Sequence, residues 1–275
     1  MFTSAMQLKG WIKNKSKETG THANELLQNY MLERLLERIS LSLYRENMII
    51  KGGFLIAAMV GVNLRSTMDL DTTIKGLPIN REKIESMMNE ITSIHVDDGV
   101  SFEIKDIRNI RDISEYDDYR VSLIATFQTL RVDLGVDITT GDTIIPHEIQ
   151  YDYKMMFEDR TIPMMAYNLN TILAEKIETI LKRGIGNTRG RDFYDAYLLL
   201  STNRDFIDKP ELLHAIKVKA EDRDSIPAIE NYVTILNDIS KSPEIAKIWD
   251  NYSKRYHYAH GIALDDIIKL ITWVF

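Results

Sequence analysis

The stretch LRVDLGVDI, residues 130–138, alternates so strictly that it admits one local conformation. Val132, Leu134, Val136 and Ile138 share one side, and Arg131, Asp133, Gly135 and Asp137 share the other, because successive residues of a strand point to opposite faces. Such a strand needs a hydrophobic layer beneath it and leaves a charged face open above. Any fold for this chain must therefore contain a sheet with one covered face and one open face carrying acids.

The flanking sequence supplies the rest of that sheet and its cover. Leu26, Leu27, Tyr30, Met31, Leu35 and Ile39 recur at helical spacing, which predicts a helix over about 23–46. NMIIKGG reads as a short strand ending at a glycine pair, FLIAAMVG as a brief buried helix, and MDLDTTI as a strand closed by Gly76 and Pro78. NREKIESMMNEITSI is an amphipathic helix, and VSFEIKDI and YRVSLIATF are strands. After Pro163 the pattern turns helical, through LNTILAEKIETILKRG and RDFYDAYLLLS to Phe275. The expected organisation is an α/β domain with an N-terminal helix over 1–160 and a mainly helical domain over 161–275. EYDDYR (115–120) and AEDRD (220–224) read as solvated loops.

Composition removes several function classes. With 44% hydrophobic residues in 275 the chain can build a real core, and with no cysteine it has no disulfide, thiolate metal site or cysteine nucleophile. A net charge of −7 argues against coating nucleic acid by bulk electrostatics and leaves room for a local basic groove. No apolar run reaches membrane-spanning length and no signal-peptide core stands at the N-terminus, so a soluble cytoplasmic protein is expected.

Asp69 and Asp71 lie two apart on a predicted strand and so project together. Two close carboxylates raise each other's pKa unless a cation sits between them. Magnesium prefers hard oxygen ligands and commonly combines one or two carboxylates with substrate phosphates. Gly52 and Gly53, at the start of a helix, would let backbone N–H groups approach such a phosphate. A lone D-x-D or Gly-Gly is commonplace. The informative feature is the order: strand, glycine pair, short helix, Thr-x-Asp-x-Asp on the next strand, then a strand bearing Asp133 and Asp137. In the second half, Lys176 sits on an amphipathic helix, and Arg183, Arg189 and Arg191 join it in a basic cluster within an otherwise acidic chain. Asp192 and Asp195 follow at helical spacing. His257 and His260 have no acid at ligand spacing and read as ordinary histidines.

The order of the acids resembles the nucleotidyltransferase superfamily related to DNA polymerase β. K-G-G, R-S-T-x-D-L-D, V-D-I-x-x-G-D, A-E-K and N-T-R-x-R-D-F-Y-D, in that order across residues 51–200, narrow the resemblance to the AbiEii/AbiGii family of nucleotidyltransferase toxins. The resemblance implies a nucleotidyltransferase-like mixed sheet with flanking helices plus a C-terminal helical part. It implies Mg2+ (or Mn2+) held by Asp69, Asp71 and a third acid, with Asp137 preferred and Asp133 the alternative. It further implies NTP contacts from Lys51, Gly52, Gly53, Arg65, Thr67, Lys176 and Arg189, with Asp192 as the essential acid of the last motif. Asp195 and Arg191 are subsidiary candidates. Two departures stand out: Thr72-Thr73 follow D-L-D where the family usually has an aromatic or bulky apolar residue, and Thr139-Thr140 precede Gly-Asp where an aromatic is common.

The activity so implied is transfer of NMP from an NTP to an acceptor, in studied relatives the tRNA 3′ end, by a toxin with a cognate antitoxin. Two other readings share these acids. One is a small-molecule, antibiotic-type nucleotidyltransferase, which would need an acidic pocket for a polycation; the other is a non-catalytic nucleotide- or partner-binding member.

Overall fold

A computed structural model describes residues 2–61, 67, 69–110 and 118–275. The chain divides into two compact units, Met1–Asp142 with Ile149–Ala166, and Thr143–Glu148 with Tyr167–Phe275.

The first unit is built on a seven-stranded mixed sheet. Its strands are β1 (Met48–Lys51), β2 (Asp69–Ile74), β3 (Val100–Asn109), β4 (Tyr119–Phe127), β5 (Leu130–Thr140), β6 (Ile149–Lys154) and β7 (Thr161–Ala166), in the order β3-β4-β5-β2-β1-β7-β6. β2 runs parallel to β5 and β1 parallel to β7; the other neighbours are antiparallel. The alternation in β5 holds: Val132, Leu134, Val136 and Ile138 are buried, while Arg131 and Asp133 are exposed. Helix α1 (Ala5–Thr19) packs on α2 (Ala23–Leu41), and α2 packs on β5 and β7. α3 (Gly52–Val60) and α4 (Arg81–Ser93) complete the unit among the described residues.

Three local expectations need correction. The N-terminal helix ends at Leu41, not near 46, because Ser42 turns its hydroxyl onto the Ile39 carbonyl and accepts the Tyr44 N–H, which offers the backbone an alternative to another helical turn. The sheet continues past residue 160 through β7, and Thr143–Glu148 goes with the helical unit. Pro163 is tolerated inside β7 because that strand meets β1 only at its end, Ile50 against Ala166, so no ladder donor is required of residue 163 on that side. Finally, Asp118 and Tyr119 are buried and Arg120 lies in β4, so the end of EYDDYR is not a solvated loop.

The second unit is helical: α5 (Leu169–Arg183), α6 (Gly190–Asn203), α7 (Lys209–Asp222), α8 (Ile226–Glu230), α9 (Tyr232–Lys241), α10 (Pro243–Arg255) and α11 (Leu264–Val274) among the described residues. α5 starts with an Asn168 cap whose side chain also donates to the carbonyls of Ile145 and His147, which ties the 143–148 segment to this unit. AEDRD is likewise no free loop, since Arg223 pairs with Glu175 and Glu178 and Ala220 is buried. No described helix is long and apolar enough to cross a membrane.

Candidate functional site

Strand register sets a row of charge across the open face of the sheet. Arg108 of β3 stands opposite Arg120 of β4, Arg120 opposite Asp137 of β5, Asp137 opposite Asp71 of β2, and Asp71 opposite Lys51 of β1. Neighbouring strands lie about 4.8 Å apart and aligned residues share a face, so two arginines, two aspartates and a lysine form one line. Asp69, two residues before Asp71, projects to the same side.

Arg120 organises this cluster. Its Nη2 donates to Asp69 Oδ1 at 2.5 Å and its Nη1 to Asp137 Oδ2 at 3.3 Å. The reach passes over Gly135, which stands opposite Asp69; a Cβ there would come within 2.6 Å of both Arg120 Nη2 and Asp69 Oδ1. The glycine in the alternating strand is therefore the opening through which the guanidinium reaches β2.

Asp137 sits among all of these charges. Burial raises its carboxyl above the usual range, Arg120 pulls it back down, and the Asp71 and Asp69 charges push it up again. Its Oδ1 is buried and accepts no hydrogen bond. An acid crowded by two others, with one oxygen orphaned, has a donor set suited to a hard divalent cation. Among the described residues no three His, Asp or Glu side chains close into a cage for an ion; between Asp69 and Asp137 the guanidinium supplies the positive charge.

The glycine pair serves the same acids. Gly52 has φ +67°, a conformation suited to glycine, and an added Cβ would overlap the Asp71 carboxylate. The Gly53 N–H points at Asp71 Oδ2, 3.4 Å away, from the first turn of α3, where a helix favours negative charge. Lys51 is engaged by Asp142 Oδ2 at 2.5 Å and the Thr139 hydroxyl at 2.7 Å. Thr72 and Thr73 are buried and donate to the carbonyls of Asp137 and Thr139, which binds β2 to β5 next to the acids. That ladder, with the Thr139 hydroxyl donating to the Thr72 carbonyl, gives Thr72, Thr73 and Thr139 a structural use.

In the helical unit a second cluster forms. Lys176 Nζ lies 3.1 Å from Asp192 Oδ1 and 2.9 Å from Asp195 Oδ2, and both acids are buried. Asp192 sits in the first turn of α6, and its Oδ2 is buried without a hydrogen-bond partner. Arg189 and Arg191 are exposed on either side of buried Gly190, which packs against Tyr252.

The structure thus brings Asp69, Asp71, Asp137, Gly52 and Gly53 together, with Lys51 one strand away, and separately brings Lys176 to Asp192 and Asp195. Asp133 is not part of the first group: it is exposed, 3.2 Å from Lys105. The Thr67 hydroxyl lies 3.4 Å from the Asp69 carbonyl. Arg65 lies outside the described residues. Sequence reasoning missed Arg120 and Asp142. The signal for Arg120 was one charged residue opening an otherwise apolar strand, YRVSLIATF, on the side opposite buried Val121, Leu123 and Ala125.

A family model described as nucleotidyl transferase AbiEii toxin, type IV TA system, matches residues 34–268. Among solved structures, a candidate nucleotidyltransferase from H. pylori shares 15% identity over 92% of this chain and 94% of its own, with a TM-score of 0.50. JHP933 from Helicobacter pylori shares 14% identity over 91% and 89%, with a TM-score of 0.49. No curated protein matches the chain.

Proposed function

This chain belongs to the AbiEii nucleotidyl transferase toxin family of type IV toxin–antitoxin systems, and we propose that it transfers NMP from an NTP to an RNA acceptor, the 3′ end of tRNA, in the cytoplasm. In that reaction the acceptor hydroxyl attacks the α-phosphorus in line, its proton passes to water, the bond to the β-phosphate breaks and pyrophosphate leaves.

The observation that carries this reading is the in-register meeting of Asp71 and Asp137, with Asp69 beside them and an orphaned buried oxygen on Asp137. Asp69, Asp71 and Asp137 would hold Mg2+ or Mn2+. A bound divalent cation supplies charge neutralisation for the attacking and leaving oxygens. Gly52 keeps a side chain away from Asp71 and the Gly53 N–H faces it, so backbone rather than side chain would meet a phosphate tail there. Lys176 and Asp192 are the residues that family likeness adds, the lysine for the triphosphate and the acid for the last motif; Arg189, just before α6, adds positive charge. A cognate antitoxin is the expected protein partner.

The test is direct. Purified protein incubated with each labelled NTP, Mg2+ and total RNA should label small RNA, and Asp69→Asn should lower that rate at least about a thousand-fold, as loss of several kcal/mol of transition-state stabilisation requires. The substitution keeps shape and removes like-charge repulsion, so thermal unfolding should be unchanged. Labelling by the variant at the wild-type rate would end the reading.

A further inference from the structure

We infer that Arg120 is the resident counter-cation of the carboxylate cluster, a positioning residue that a divalent ion must displace from Asp69 and Asp137 before the site can load. The inference deepens the proposed function and rests on its reading of these acids as metal ligands.

Four observations lead there. First, the guanidinium does not point into solvent as an isolated strand arginine would; it forks across two strands to bond one oxygen of Asp69 and one of Asp137. Second, the backbone is shaped for that reach, because a side chain of any size at 135 would contest the space of Arg120 Nη2 and Asp69 Oδ1 at once. Third, the pairing is open to exchange: the side chains of Arg120, Asp69 and Asp137 are 28%, 45% and 25% exposed. An ion pair in that setting is weak and screened, unlike a buried pair that cannot be opened without stranding a charge. Fourth, Arg108 stands directly opposite Arg120 on β3. Like charges directly opposite on a sheet repel, so Arg120 leans toward the acids, and an arginine released from them would sit beside a second arginine. Such a pair suits an incoming polyanion.

Arg120 and a divalent ion therefore compete for the same oxygens. Without nucleotide the arginine holds the acids together at neutral pH and keeps metal affinity low.

The test uses the full-length protein and Mn2+ alone, titrated without nucleotide and read by electron paramagnetic resonance of free Mn2+ and by calorimetry. Arg120→Gln should bind Mn2+ at least about ten-fold more tightly than wild type, since it removes a unit positive charge at contact distance. Arg120→Lys keeps the charge without the fork and should fall between them. Circular dichroism and the unfolding midpoint are followed for each variant. Affinity in folded Arg120→Gln equal to or below wild type would overturn the inference while leaving the metal reading standing, provided that Asp137→Asn abolishes wild-type Mn2+ binding. If neither wild type nor Arg120→Gln binds Mn2+, the metal reading itself fails, and the inference with it.

Discussion

The two units each hold acids against a cation, and they do so in opposite ways. On the sheet, Arg120 bridges Asp69 and Asp137 where all three side chains keep between a quarter and a half of their surface exposed. In the helical unit, Lys176 meets Asp192 and Asp195 with only 16%, 5% and 0% of the respective side chains exposed. Exposure decides what each cluster can do. Water shares the charge of the first, so its cation can be exchanged at small cost. The second is largely withdrawn from water, so opening it costs a desolvation that the first does not carry.

That contrast predicts opposite outcomes for removal of one charge. Lys176→Met should destabilise the protein by about 3 kcal/mol, within the range for breaking a buried pair, read as a lower urea midpoint at unchanged m-value. Adding Asp195→Asn should recover part of the loss, because one buried negative charge goes with it. Asp69→Asn in the open cluster should cost no stability. If Lys176→Met unfolds at the wild-type midpoint, the two clusters do not differ in kind.

The open cluster was largely legible in the sequence and the closed one only in outline, for a physical reason. Period-two alternation states which face a strand residue takes, so Asp69 could be grouped with Asp71 and Asp133 with Asp137 from spacing, while the meeting of the two pairs came from the family resemblance. Register could not be read, and register is what aligns Asp71 with Asp137 and leaves Asp133 outside, beside Lys105. Arg120 was hidden for the same reason: its role depends on crossing Gly135 to reach Asp69 on β2, 51 residues earlier in the chain. On helices, spacing alone could not separate a solvated Lys176 from one buried against Asp192 and Asp195, because the outcome depends on how α5 packs on α6. The boundary near 160 followed Pro163, which β7 tolerates because it pairs with β1 only at Ala166.

A third group of charges, within the sheet unit, sharpens the comparison through pH. Glu33 of α2 is fully buried and accepts from the Met156 N–H at 2.6 Å and the Tyr153 hydroxyl at 2.8 Å, with Arg34 at 3.6 Å. Burial outweighs these partners and lifts its carboxyl from 4.5 to about 7. A carboxyl raised in the folded state favours folding while protonated. Its contribution is complete below about 4.5 and is lost as pH rises through about 7. Between pH 5 and pH 8 this group alone should lower stability by roughly 2 kcal/mol. Glu33→Gln should flatten that slope in urea unfolding at the two pH values. An equal slope in the variant would mean that the Tyr153 and Met156 donors keep the carboxylate charged, so that this buried acid behaves like an open one.

The smallest effect tests the open cluster at its hinge. Gly135 has no positive φ to protect, and the atoms nearest to an alanine Cβ there are the ends of two flexible side chains, the Arg120 guanidinium and Asp69 Oδ1. Both can swing outward because both are part exposed. Gly135→Ala should therefore change stability by less than about 1 kcal/mol, the scale of an exposed ion pair. It should also loosen the Arg120–Asp69 contact and raise nucleotide-free Mn2+ affinity a few-fold, in the direction of Arg120→Gln and short of its size. A larger stability loss would show that the bridge is rigid and structural, like the lysine cluster of the helical unit. Unchanged stability with unchanged Mn2+ affinity would show that the arginine reaches Asp69 by another route than the space above Gly135.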